Sequence, residues 1–136
     1  MRLVPGIALI AAALVGAPVP AQANDAINVE LNVIESSQNR CRFAFVVENK
    51  SDTALETLKL DLAVFDRDGV VRRRLVTDLG PVRRQKTIVK SFELEGECQV
   101  GAILVNDVAA CAPTDPGACL DRLGLTSRVP GVRMYK

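Results

Sequence analysis

Thr57-Leu58-Lys59-Leu60-Asp61-Leu62-Ala63-Val64 places Leu58, Leu60, Leu62 and Val64 at alternate positions, with Thr57, Lys59, Asp61 and Ala63 between them. Successive side chains of an extended chain point to opposite faces, so this period gathers the four large apolar groups on one side. A helix would spread them around its circumference. The stretch is therefore a half-buried strand. The same period in Ile27-Asn28-Val29-Glu30-Leu31-Asn32-Val33 predicts Ile27, Val29, Leu31 and Val33 on one face. It recurs at Cys41, Phe43, Phe45 and Val47, with Arg42, Ala44, Val46 and Glu48 on the reverse.

Turn residues punctuate these strands at Ser36-Ser37-Gln38-Asn39, Asn49-Lys50-Ser51-Asp52, Asp66-Arg67-Asp68-Gly69 and Leu79-Gly80-Pro81. Val70 to Thr77 reads as a returning strand of open parity, because Val70 and Val76 share one face while Val71 and Leu75 share the other. Lys86 to Leu94 is a fifth strand of open register. Cys98 to Val108 is a sixth, apolar on both faces like a central strand. Asp115 before Pro116 predicts a helix start, with Gly124 ending the helix after about two turns. Leu125 to Arg128 is then a last edge strand, and Pro130-Gly131 ends regular structure. The expectation is an all-β domain over residues 24–136: one β-sandwich of about seven strands with a short C-terminal helix.

The segment before this domain has a different character. Arg2, an apolar run from Leu3 to Val15 broken only by Pro5 and Gly6, and the small-residue triplet Ala21-Gln22-Ala23 predict a signal peptide over residues 1–23. The run is shorter than the roughly 20 residues a lasting membrane helix needs, so no membrane span is expected after cleavage. Periplasmic or secreted localisation follows. Of 17 basic and 16 acidic residues one base, Arg2, belongs to this leader, which leaves the rest formally neutral. A nucleic-acid partner is not expected without a basic excess. Histidine and tryptophan are absent. Without histidine there is no imidazole for nucleophilic triads, acid–base chemistry or metal ligation, and no cofactor is expected.

Between Phe45 and Leu94 the chain resembles the FxLYD-type, immunoglobulin-like domains of bacterial exported proteins. The resemblance is carried by Val47-Glu48-Asn49-Lys50-Ser51, by Leu58, Leu60 and Leu62, by Val64-Phe65-Asp66-Arg67-Asp68-Gly69-Val70-Val71, and by Leu79-Gly80-Pro81 before Phe92. It implies a sandwich fold with a binding or scaffold role, and it supplies no catalytic residues.

Four cysteines allow three pairings. Cys41–Cys98, joining the second strand to the sixth across the sheets, and Cys111–Cys119, tying the tail loop, are the expected pairs. In the loop-entropy account the longer closure is worth about 4 kcal/mol and the shorter about 2.5 kcal/mol. The rival reading, metal or redox chemistry, prefers Cys-x-x-Cys spacings, which do not occur here.

Arg72, Arg73, Arg74, Arg83, Arg84, Lys86 and Lys90 fall within two strands and their connection, with Asp78 the only acid among them. If those strands are neighbours, several cations share a face and repel. Such a patch is a candidate site for an anionic envelope component or an acidic protein. The alternative is an exposed edge protected from aggregation by charge. Asp66, Asp68 and Gly69 suggest a calcium loop only weakly, since Val70 and Thr77 stand where further oxygen ligands belong. Asn49-Lys50-Ser51 fits both a glycosylation sequon and a strand-end turn. Glu35, Glu48, Asp61 and Asp107 are the carboxylates a histidine-free hydrolase would draw on.

The expected function is therefore an exported, non-enzymatic binding or accessory module. A structural envelope protein, a secreted inhibitor and a small histidine-free hydrolase are the alternatives. Intact-mass measurement after expression in an exporting bacterium should find a chain beginning at Asn24 with no free thiol. An intact Met1 together with four free thiols would overturn both the leader and the disulfides.

Overall fold

A computed structural model describes residues 2–6, 11–18 and 25–136. The expected cleavage triplet Ala21-Gln22-Ala23 lies outside them. The strands are β1 (Ile27–Ser37), β2 (Arg40–Asn49), β3 (Lys59–Phe65), β4 (Val71–Asp78), β5 (Lys86–Glu95), β6 (Ala102–Ala110), β7 (Leu123–Ser127) and β8 (Arg133–Tyr135), with one helix, α1 (Pro116–Asp121), between β6 and β7. They form two four-stranded sheets, ordered β5-β2-β1-β7 and β4-β3-β6-β8. The all-β class with a small helix is as expected, with eight strands in place of about seven. Among the described residues no helix is long and apolar enough to cross a membrane.

The alternating residues do what their period requires. Val29, Leu31, Phe43, Phe45 and Val47 from the first sheet, and Leu60, Leu62, Val64, Ile103 and Val105 from the second, form one buried core. Phe92 of β5 stacks on Phe43 and Phe45, with ring centroids 5.2 and 5.6 Å away.

Four register shifts interrupt the pairings, at Leu31/Val33, Lys59/Leu60, Asp61/Leu62 and Val64/Phe65, and two of them bear on which side chains face the core. Leu31 lies opposite Phe45 and Val33 opposite Ala44, so the pairing shifts between Leu31 and Val33. An extra residue in one strand of a pair reverses the side on which later side chains emerge. Ile34, opposite Phe43, therefore packs against the core, and Val33 takes the outer face. A second shift, between Asp61 and Leu62, lets β6 present Asn106 and Asp107 both to solvent. β6 buries Ile103, Val105 and Val108, which is one face and not the two expected. It also begins at Ala102, so Cys98 lies in the β5–β6 connection and not in a strand.

The tail departs furthest from expectation. Asp115 caps α1 as predicted, accepting from the Ala118 N–H at 3.1 Å, with Pro116 opening the helix. Gly124 does not end that helix. It lies inside β7, which runs parallel to β1, where a Cβ would collide with the Asn28 and Asp25 side chains. Pro130-Gly131 does not end regular structure either, because β8 follows and pairs in parallel with β6. Lys136 then donates from Nζ to the Leu120 and Leu123 carbonyls, at 2.7 and 2.6 Å, just beyond the helix.

Phe45→Ala should lower the unfolding free energy by about 3–5 kcal/mol in urea denaturation, as expected for an aromatic deleted from a packed core. Val89→Ala on the outer face, where the side chain is 67 % exposed, should change it by less than about 0.5 kcal/mol.

Candidate functional site

The seven cations between Arg72 and Lys90 do not share one face. β4 and β5 are edge strands of different sheets, so the adjacency that would have gathered the charges is absent. At the pairing irregularity between Val64 and Phe65, Arg72 Nε donates to Asp66 Oδ2 at 2.6 Å. Arg74 Nη2 reaches both Asp61 oxygens, at 3.1 and 2.9 Å. The Asn106 amide, followed by the Arg74 guanidinium, holds Asp61 below its ordinary pKa, so this pair stays charged and matched. Arg73 has the opposite parity. It lies opposite Val64, and its Nη2 donates to the Glu95 carbonyl at 2.8 Å, linking the two edges across the open side of the sandwich. Lys90 lies opposite Phe45 and is likewise on the inner parity of β5. Inward-pointing charges on edge strands oppose the addition of another chain. For Arg73 and Lys90 the geometry matches edge protection.

Arg83, Arg84 and Lys86 remain. All three are exposed, and among the described residues no ion pair involves them. Arg83 and Arg84 sit on the β4–β5 connection and Lys86 opens β5 directly after it, and the connection is pinned from beneath. Val82 is buried and exchanges backbone hydrogen bonds with Leu55, each 2.8 Å. Asn49, fully buried at the end of β2, donates from Nδ2 to the Thr53 carbonyl at 2.9 Å and the Val82 carbonyl at 3.3 Å. Its Oδ1 accepts from the Ser51 N–H and hydroxyl at 3.0 and 2.7 Å. Gln85 takes a left-handed φ of 53° and donates to the Lys50 carbonyl at 2.6 Å. Exposed Lys50 therefore borders the same corner. Asn49 was legible as a strand-end residue, and its burial rules out the sequon reading. Gln85 had no signal in the sequence.

Between the facing edges lies a cleft of about 520 Å³. Phe43, Val64, Leu94 and Val100 line it, and Arg72, Arg73, Glu95 and Glu97 contribute charges of both signs. A mixed rim of this kind does not select an anion. Asp66, bound to Arg72 of this lining, is 6 % exposed and closes the β3–β4 turn, with Oδ1 accepting from the Asp68 and Val70 N–H groups at 2.9 and 3.0 Å. Its oxygens are engaged within the turn, which is the hairpin role and not the calcium one. The Val70 N–H, and after it the Arg72 side chain, hold the Asp66 carboxyl below its ordinary value of 3.8 against the opposing effect of burial.

Both expected disulfides are present, Cys41–Cys98 and Cys111–Cys119. The first ties β2 to the β5–β6 connection, and the second ties the end of β6 to α1. Of the four carboxylates a hydrolase would draw on, Glu35 and Glu48 belong to the first sheet, while Asp61 and Asp107 lie opposite each other on β3 and β6, Asp61 engaged by Arg74 and Asn106 and Asp107 accepting from the Val108 N–H at 2.8 Å. Glu35 is bound to Arg42 at 2.7 Å. None of the family models, curated proteins or solved structures compared with the chain matches it.

Asp66→Asn should lower the thermal midpoint at neutral pH and flatten the acid side of the stability profile. A carboxyl whose folded pKa is depressed contributes stability above its unfolded value and loses it as pH falls through the folded one. Melting curves followed by circular dichroism from about pH 7 to about pH 2 should therefore converge for the two proteins at the acid end.

Proposed function

We propose that the chain is an exported, non-enzymatic binding or accessory module, acting in a periplasm or outside the cell, and that it docks an anionic envelope component through Arg83, Arg84 and Lys86. The observation that carries this reading is the pinned connection itself. Two cations without acidic partners, Arg83 and Arg84, stand on a turn fixed by the Leu55–Val82 bridge, the buried Asn49 and Gln85, and a third, Lys86, follows at the start of β5. Holding a loop in place before binding lowers the ordering cost of association. Arginine forks match carboxylate and phosphate groups.

Export rests on the Arg2–Ala23 pattern and on the two disulfides, which persist in oxidising compartments. The FxLYD-type, immunoglobulin-like resemblance draws its support from the two four-stranded sheets packed over one core.

Replacing Arg83 and Arg84 together by Glu should reduce co-sedimentation with anionic phospholipid vesicles by about tenfold or more, and the wild-type signal should fall as salt rises. Equal retention of both proteins, independent of salt, would remove this corner as the docking surface. Wild-type melting of the double variant would show that folding is intact.

A further inference from the structure

A separate trough lies on the outer face of the second sheet, away from the basic corner. Register builds it. Phe65 of β3 lies opposite Ala102 of β6, which lies opposite Arg133 of β8. Tyr135, two residues beyond Arg133, shares its face. A small residue between large ones leaves a depression of about 390 Å³. Its floor stays low because Gly101 passes so near Asp66 that a Cβ would lie 2.5 Å from the Asp66 carbonyl oxygen. Gly69 and Gly131, both at positive φ, border the depression without side chains to cover it.

The trough is electrically biased. Arg67 and Arg133 both line it, and among the described residues neither belongs to an ion pair. The Arg133 guanidinium lies 4.2 Å from the Tyr135 ring centroid, a stacking that limits where it can go. The one carboxylate in the wall, Asp66, already serves Asp68, Val70 and Arg72. It does not neutralise the two arginines, but its charge disfavours a second negative charge beside it. That balance selects a monoanion over a dianion, and Phe65 and Tyr135 offer flat apolar surface next to it.

The geometry points to a binding site for a carboxylate carried on an apolar or aromatic stem, with Arg67 and Arg133 holding the carboxylate and Phe65 and Tyr135 the stem. Such a group comes either as a free small acid or as the C-terminal residue of a peptide. The proposal does not depend on the basic corner, and its test uses different residues.

Nitrogen-15 NMR titrations with phenylacetate, acetyl-Gly-Phe, its C-terminal amide and phenyl phosphate decide it. Saturable shifts at Gly101, Gly131 and Arg133 are expected with both free acids and not with the amide. Arg133→Gln and the trough-filling Ala102→Leu should each weaken binding about tenfold or more, with melting curves unchanged. Equal binding of the two acids assigns a free acid; a tighter peptide assigns a chain terminus. No saturable shift, equal binding of the amide, tighter binding of phenyl phosphate, or indifference to both variants would each overturn the site.

Discussion

Phe92 lies over Phe43 and Phe45, and this three-ring contact between β5 and β2 governs more of the molecule than the core it fills. A slip of one residue in a strand sends every side chain to the opposite face. Burying Phe92 therefore fixes β5 in a single register, with Lys90 opposite Phe45 and Lys86 opposite Asn49. The connection from β4 must then close onto the end of β2, where Asn49 donates to the Val82 carbonyl. The position of Arg83 and Arg84 is thus a consequence of aromatic packing some distance away.

On the open side of the sandwich two edge strands face each other, and their charges answer two different requirements. Arg73 and Lys90 sit on inner parity, where a further strand would have to bury them. Arg72 and Arg74 are matched by Asp66 and Asp61. Arg83 and Arg84 on the connection, and Lys86 at the start of β5, have neither role. A run of basic residues that looks uniform along the chain is therefore divided by the fold into edge protection, local pairing and display. The disulfides follow the same division: Cys41–Cys98 holds β2 to the connection beyond β5, and Cys111–Cys119 anchors α1 to the end of β6.

Much of the sheet grammar was legible. Leu58 to Val64 and Cys41 to Val47 keep strict alternation, and burial follows it except at Ala63, which is buried as well. Val33 and Ile34 did not declare themselves, because two adjacent β-branched residues satisfy either parity and only the pairing with Ala44 and Phe43 chooses. Asn106 and Asp107 hid the second irregularity in the same way. Gly124 and Pro130-Gly131 looked like terminators, since glycine and proline disfavour helix and strand interiors. In the fold Gly124 instead makes room for β7 beside Asn28, and β8 begins only beyond Gly131. The trough at Phe65, Ala102 and Arg133 had no linear signal at all, being assembled from three strands far apart in the chain.

Period-two patterning, turn residues, cysteine spacing and the absence of histidine are local or compositional properties, and they sufficed for the all-β class, the helix cap and the expected cysteine pairs. The assignment of edges to sheets is not local. Whether β4 and β5 are neighbours, which arginines find a carboxylate, and where a small residue leaves a hollow between large ones depend on pairing between distant segments. Those pairings are chosen by burial of the whole core, and no short stretch of the chain encodes them alone.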